Sequence, residues 1–448
     1  MKLFGTDGIR GEANRFPMTP EIALRVGQAV GYLFRNQGRH RRIIIGKDTR
    51  LSGYLFETAL AAGVLSMGAE AWLVGPLPTP AIAFLTRDLR AEAGVVISAS
   101  HNPYQDNGIK IFGADGYKLS DELEARIEAL VDSKEMEEHR ALAAEIGRAR
   151  RIEDARGRYM VHLKRAFPED LDLEGLKIVV DCAHGATYRV APEILEELGA
   201  TVIRLGCSPN GLNINQGCGA TAPEVLREKV LAEGAHLGLA FDGDGDRLIV
   251  VDEKGRILDG DHLLGFLALV FKREGGLPGN TVVATVMSNL ALEKFLKGHG
   301  IALKRVQVGD RYVVEEMRKG GFRLGGEQSG HLVILDRATT GDGVLTALTV
   351  LGILRKEDRP ASVIGDLFEK YPQILKNVKV KERKPPKEVP GLSERIAQAE
   401  KILGEKGRVV VRPSGTEPKY RVMLEGEDQG LITQLAEELV EYIEKTLG

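Results

Sequence analysis

The stretch RRIIIGKDTRLSGYLFETALAAGVLSMGAEAWLVG, residues 41–75, decides the fold class. Ile43, Ile44 and Ile45 stand together without polar alternation, as in a strand buried on both faces. Residues 52–68 read as a helix ending on a glycine, and AEAWLVG (69–75) returns to a strand. Working outward, TPAIAFLTRDL (79–89) is a helix and AGVVISAS (93–100) another strand. Strands alternating with helices in this way predict α/β layers with a mixed or parallel sheet. The pattern restarts at LKIVVDCAHG (176–185) and again at NTVVATVMSN (280–289), the latter followed by a helix at 290–300 and a strand running through IALKRVQVGDRY (301–312). These are three units of about 100 to 150 residues. A charged helical stretch, 123–167, separates the first from the second.

After Gly365 the pattern changes. QILKNVKVKER alternates like a strand, KPPKEVPG is a Pro-broken loop, and two helices flank a hairpin in RVVVRPSGTEPKYRVMLEG (408–426). That predicts a small α+β domain. The expected domains are 1–150, 151–252, 253–365 and 366–448.

Composition narrows the function class. The chain has 448 residues and a net charge of −3, which gives no nucleic-acid footprint. No segment reaches the roughly 20 uncharged apolar residues of a membrane helix, and the N-terminus lacks a signal-peptide core. Cys182, Cys207 and Cys218 form neither a zinc pattern nor a disulfide framework, so a reducing cytoplasm is expected.

Four polar, glycine-rich loops carry the chemistry, one in each expected domain. GLAFDGDGDRLIVVD (238–252) sets Asp242, Asp244 and Asp246 at every second residue. In an extended strand the outer two would lie about 13 Å apart, whereas two oxygens on one Mg²⁺ are at most about 4 Å apart. The segment must curl to bind one ion, and Gly243 and Gly245 permit that. An EF-hand would use the same aspartates with Glu253 at its twelfth position, but Arg247 stands where that loop needs glycine, and the flanks read as strands.

GVVISASHNPYQDNGIK (94–110) leaves a buried strand into a loop holding Ser98, Ser100, His101, Asn102 and Lys110. The end of a strand is the usual ligand side of such a sheet. Ser100 beside His101 resembles an activated hydroxyl next to a base, although a plain turn has the same residues. VRPSGTEPKYRV places Arg412, Ser414, Gly415, Thr416 and Arg421 around a turn suited to phosphate oxygens. GGEQSGH (325–331) offers Glu327, Ser329 and His331 to a polyol, and FGTDGIRG (4–11) adds Arg10. GCGATA (217–222) fits a dinucleotide fingerprint but follows the polar loop NGLNINQ and no strand, so it is discounted. Loops from separate domains can converge only on a shared cleft.

Taken together, ISASHNP, DGDGDR, GGEQSGH and RPSGTEP resemble, in order, the four signature loops of the α-D-phosphohexomutase superfamily over nearly the whole chain. FGTDGIRG, GDRYV and TTGDG are similar to its branch acting on glucosamine phosphates. The resemblance implies an α/β protein with four domains around a central cleft, three of related mixed-sheet fold and a smaller, mobile α+β domain. It implies interconversion of glucosamine 6-phosphate and glucosamine 1-phosphate through a phosphorylated Ser100 and a 1,6-bisphosphate. Asp242, Asp244, Asp246 and the Ser100 phosphate would hold one Mg²⁺. Arg10 and Arg247 would steady the moving phosphoryl group. Lys110 would be the general acid/base, with His101 and His331 as supports or rivals. Glu327 and Ser329 would hold sugar hydroxyls, and Arg412, Ser414, Gly415, Thr416 and Arg421 the phosphate that does not react. Glucosamine or glucose 1,6-bisphosphate, or a kinase, would first phosphorylate Ser100. The partner is then a small sugar phosphate, with neither nucleic acid nor membrane; a homodimer is compatible. The alternatives are a sibling phosphoglucomutase or phosphomannomutase and, more remotely, a non-catalytic metal- or sugar-phosphate-binding protein.

Overall fold

The computed structural model describes residues 2–5, 7–34, 41–382, 384–413 and 419–448. Among these, Arg42–Lys47 lies inside the first sheet, parallel to Glu70–Pro76 on one side and Ala93–Ile97 on the other. Asp106–Gly113 returns antiparallel beside Ala93–Ile97, with Gly8–Glu12 and Phe4–Gly5 further out. Successive side chains of a strand face opposite sides. Ile43 and Ile45 accordingly pack under the helices Pro20–Phe34 and Ser52–Ser66, and Ile44 under Thr79–Asp88. The first two helices approach closely at Gly63, where a Cβ would stand 2.8 Å from the Gln28 nitrogen.

A second sheet runs Ile257–Leu258, Leu248–Asp252, Leu237–Phe241, Lys177–Asp181, Thr201–Leu205. A third runs Ala302–Val306, Thr281–Thr285, Leu324–Gly326, Leu332–Ile334. Both mix parallel and antiparallel pairs. The last sheet is antiparallel, with Lys419–Gly426 between Gln373–Lys379 and Gly407–Pro413, and it packs against the helices Leu392–Leu403 and Gln429–Leu447. The architecture is three mixed-sheet α/β units followed by a small α+β unit.

Two local expectations fail. The charged stretch 123–167 is not helical throughout. It holds the end of helix Asp121–Asp132, then Glu135–Glu138, the strand Ala149–Arg151 and the helix Ala155–Lys164. Ala149–Arg151 is an exposed edge strand held to Glu70–Pro76 by backbone pairing, so no apolar side chains announce it. Further on, the strand expected through residue 312 stops at Val306, and Asp310 opens a helix, Asp310–Gly320.

One apolar cluster runs from Ile44 and Val96 through Ile178 and Phe241 to Val282 and Leu348, joining the three larger units. The C-terminal unit has its own core around Tyr420, Leu424 and Leu435. Burial holds the first three units together, while the fourth docks through polar contacts such as Arg408 Nη2 to the Ser288 carbonyl, 2.9 Å. No helix among the described residues is long and apolar enough to cross a membrane.

Candidate active site

The fully buried strand Ala93–Ile97 ends at Ser98, and the chain turns back to pair Val96 with Lys110. Ser100 stands in that turn with φ +50°, a region non-glycine residues rarely adopt. Its Oγ donates to Asp242 Oδ2 at 2.7 Å, and His101 Nδ1 lies 3.4 Å away. Ser98 instead donates to Asp48 Oδ2 at 2.6 Å and accepts the Ser100 N–H at 2.9 Å. The two serines therefore divide: Ser98 builds the turn and Ser100 faces the aspartates.

Those aspartates occupy the loop between Leu237–Phe241 and Leu248–Asp252. The segment curls, with Gly245 at φ +72° and its N–H bonded to the Asp242 carbonyl at 3.1 Å. One ligand atom from each of Asp242, Asp244 and Asp246 lies within 4.8 Å of the others, all buried. Among the described residues, the Oδ1 atoms of Asp244 and Asp246 have no hydrogen-bond partner, nor do the buried Nε atoms of Arg10 and Arg247. Three converging hard-oxygen donors, two with unused lone pairs, fit a divalent cation. The idle arginine donors beside them suit an anionic group.

Charge inside the cluster is unevenly shared. Burial, reinforced by Asp246 and Asp244, pushes the Asp242 carboxyl well up. Burial also pushes on Asp244, but Lys110 and the Thr79 hydroxyl outweigh it and hold that carboxyl down. Thr79 Oγ1 donates to Asp244 Oδ2 at 2.7 Å. Lys110 Nζ lies 2.9 Å from Asp244, 3.2 Å from Asp7 and 3.7 Å from Asp246. Against its own burial these carboxylates raise its pKa, so Lys110 carries its proton. Burial, then Arg247 and Arg10, presses His101 down to about 3, leaving the ring neutral. Arg247 Nε is 3.9 Å from both Asp242 and Asp246. Arg10 pairs with Asp7. His331 accepts the Gly341 N–H on Nε2 at 3.0 Å, so a neutral ring carries its proton on Nδ1, 3.6 Å from Asp246.

Sequence reasoning passed over four of these neighbours. Asp7 and Asp310 both bind Lys118, the latter at 2.5 Å, which ties the first unit to the third. Asp7 and Asp310 lie in quoted motifs, FGTDGIRG and GDRYV, and could have been found there. Thr79 and Lys118 lie in no motif.

The hairpin Leu324–Gly326 to Leu332–Ile334 presents Glu327 and Ser329. Glu327 Oε1 accepts the Gly309 N–H at 3.0 Å, and Ser329 Oγ donates to Oε2 at 3.3 Å. The Leu248 N–H bonds the Gly330 carbonyl at 3.0 Å, stapling this loop to the strand that leaves the aspartates. In the C-terminal sheet Arg412 and Arg421 are cross-strand partners. Burial and then Arg421 lower the Arg412 pKa, and among the described residues neither arginine has an ion pair. Two adjacent guanidinium groups without an ion pair among the described residues suit an anion. Ser414, Gly415 and Thr416 lie outside the described residues.

The chain is similar to known proteins over its whole length. Residues 1–138, 157–255 and 259–371 match the alpha/beta/alpha domains I, II and III of phosphoglucomutase/phosphomannomutase, and 375–442 match its C-terminal domain. The phosphoglucosamine mutase of Syntrophotalea carbinolica is 54% identical over 448 residues, covering 100% of this chain and 98% of the relative. That of Rhodospirillum rubrum is 56% identical over 444 residues, covering 99% and 98%. Among solved structures, a putative phosphomannomutase from Thermus thermophilus superposes with a TM-score of 0.77 at 25% identity, covering 98% of each chain. An Aspergillus fumigatus N-acetylphosphoglucosamine mutase, solved with GlcNAc-6P and magnesium, gives 0.68 at 18% identity, covering 100% of this chain and 96% of that one; at that identity the likeness concerns the fold. With four ordered domain matches and full-length relatives above half identity, this chain belongs to the phosphoglucomutase/phosphomannomutase family.

Proposed function

We propose that this chain is an isomerase that interconverts glucosamine 6-phosphate and glucosamine 1-phosphate, with Ser100 carrying the phosphoryl group between turnovers. The observation that carries the mechanism is the Ser100 Oγ at 2.7 Å from Asp242, inside a carboxylate cluster with unused lone pairs. The substrate rests on full-length relatives named phosphoglucosamine mutase.

Asp242, Asp244, Asp246 and an oxygen of the Ser100 phosphate would hold Mg²⁺, which supplies neutralisation of charge on the moving group. The rest is positioning and charge stabilisation by the chain. In the first half, O1 of glucosamine 6-phosphate attacks phosphorus, the P–Oγ bond breaks, and one proton passes from the sugar hydroxyl to the serine oxygen. Lys110, charged and within the cluster, relays it by giving one N–H proton to Oγ while taking the hydroxyl proton in its place. Arg10 and Arg247 face the transferring oxygens, and neutral His101 beside Oγ adds no charge of its own. The bisphosphate then turns around. In the second half Ser100 attacks the phosphorus on O6, the relay runs in reverse, and glucosamine 1-phosphate leaves. Glu327 and Ser329 hold sugar hydroxyls, and Arg412 and Arg421, with Ser414, Gly415 and Thr416, grip whichever phosphate is idle. A sugar 1,6-bisphosphate or a kinase primes Ser100. The free thiols of Cys182, Cys207 and Cys218 suit a cytoplasmic setting.

Initial rates with glucosamine, glucose and mannose 6-phosphates test the substrate. Glucosamine 6-phosphate should show the highest kcat/KM; a higher value for either other sugar would reassign the substrate and leave the serine mechanism standing.

A further inference from the structure

Two residues outside the four signature loops hold the Ser100 turn by the same pair of carbonyl oxygens. Arg50 is fully buried and all five of its N–H donors are used. Nε meets Asp48 Oδ2 at 2.8 Å; Nη1 meets the Asp106 carbonyl at 3.0 Å and that of Pro103; Nη2 meets the carbonyls of Ser100 at 3.0 Å and Asn102 at 2.8 Å. From the second unit, Asn215 Nδ2 donates to the same Ser100 and Asn102 carbonyls, at 2.9 and 3.0 Å.

The asparagine is itself tied to the aspartate loop. Its N–H bonds the Ala183 carbonyl at 2.8 Å, and three residues on, the Ala186 N–H bonds the Gly243 carbonyl at 2.8 Å. A Cβ at Gly243 would stand 2.6 Å from the Ser100 carbonyl oxygen and 2.7 Å from Asn215 Nδ2. The nucleophile turn, the asparagine and the aspartate loop are thus in mutual contact.

A serine in the left-handed region is strained and persists only where its surroundings over-determine it. We propose that Arg50 and Asn215 are positioning residues that lock Ser100 in this turn, so that its Oγ faces carboxylates carried by another unit. Arg50 sets the turn from within its own sheet, and Asn215 keeps it in register with the aspartate loop. Neither touches the reacting atoms; both act through the Ser100 and Asn102 carbonyls. The proposal rests on the reading of Ser100 as the phosphoryl carrier.

The test uses full-length Asn215→Ala, Arg50→Lys and Ser100→Ala proteins with Mg²⁺, glucosamine 6-phosphate and glucose 1,6-bisphosphate. Active sites are counted by phosphate bound covalently to Ser100. In Asn215→Ala the carbonyls keep their Arg50 bonds, so the fold should survive with a melting temperature close to the parent's. Its kcat per phosphorylated site should fall about a hundredfold, the scale of a nucleophile misplaced by about 1 Å, with KM changed less than about twofold. Arg50→Lys keeps the charge but loses the planar fork, and should lose at least as much; if it fails to fold, Asn215→Ala decides alone. A parental kcat per site in Asn215→Ala, with Ser100→Ala dead, overturns the positioning role and leaves the carrier role intact. An active Ser100→Ala protein removes both.

Discussion

The Nζ of Lys110 lies 2.9 Å from Oδ2 of Asp244, both side chains almost wholly buried. An ammonium held among Asp244, Asp7 and Asp246 keeps its proton, as a relay between two oxygens requires. Lys110→Met, similar in length and without charge, should lower kcat by about 10²- to 10⁴-fold, the usual contribution of a positioned acid/base. Steady-state kinetics check this; a loss confined to KM would make Lys110 a binding group.

The aspartate loop should depend on a divalent ion for activity and for stability. Removing divalent ions should abolish turnover and Mg²⁺ should restore it. An ion bound only to the folded chain adds about 2.7 kcal/mol at a hundredfold excess over Kd, so Mg²⁺ should raise the melting temperature. Asp244→Asn should shrink that rise without unfolding the protein. Full activity in excess chelator would count against the reading of the cluster as a metal site.

Removing one arginine of the C-terminal pair should separate anchoring from chemistry. Arg412→Ala should raise KM for the sugar phosphate by roughly tenfold to a hundredfold, the worth of one charge-assisted hydrogen bond of about 1.5–3 kcal/mol. The rate of Ser100 phosphorylation by saturating bisphosphate should hold. An unchanged KM would place the idle phosphate elsewhere.

A buried acid behind the site should make stability fall with pH. Asp342 accepts the Tyr159 hydroxyl at 2.7 Å and caps the helix Gly343–Lys356 at the Leu345 N–H. Burial pushes its carboxyl up to about 6, above its value of about 3.9 in the unfolded chain. The neutral form is therefore favoured on folding. Its contribution is fully present below about pH 4 and is lost as pH rises through about 6, on the order of 2–3 kcal/mol in all. Asp342→Asn keeps a good cap and removes the titration. Denaturant midpoints across pH 4–7 should slope less in the variant; equal slopes would show that Asp342 does not titrate there.

Much of this was legible in the sequence because the signals are local. Ile43–Ile45 reads as a two-sided strand, and the spacing of Asp242, Asp244 and Asp246 forces a curl if one ion is bound. Thr79 and Lys118 were not legible, since Thr79 meets Asp244, and Lys118 meets Asp7 and Asp310, only through tertiary packing. The helix start at Asp310 was hidden by the valines before it, Val306 and Val308, which extend a strand pattern toward it. Asn215 lies beside the discounted nucleotide-like run 217–222, and its role shows only when the Ser100 turn is seen against it. Ser98 and Ser100 look alike in ISASHNP; only the resemblance singles out Ser100 there, and in the structure their side-chain hydrogen bonds tell them apart, Ser98 to Asp48 and Ser100 to Asp242.

That distinction leads to the central test. Wild-type and Ser100→Ala proteins are incubated with glucosamine 1,6-bisphosphate and Mg²⁺, digested, and the residue 94–110 region is sequenced by mass spectrometry. One phosphoryl group on Ser100 in the wild type, none in the variant, and loss of turnover in the variant is the expected result. Phosphate on Ser98, or an unphosphorylated Ser100→Ala protein that still isomerises the sugar phosphate, would contradict it.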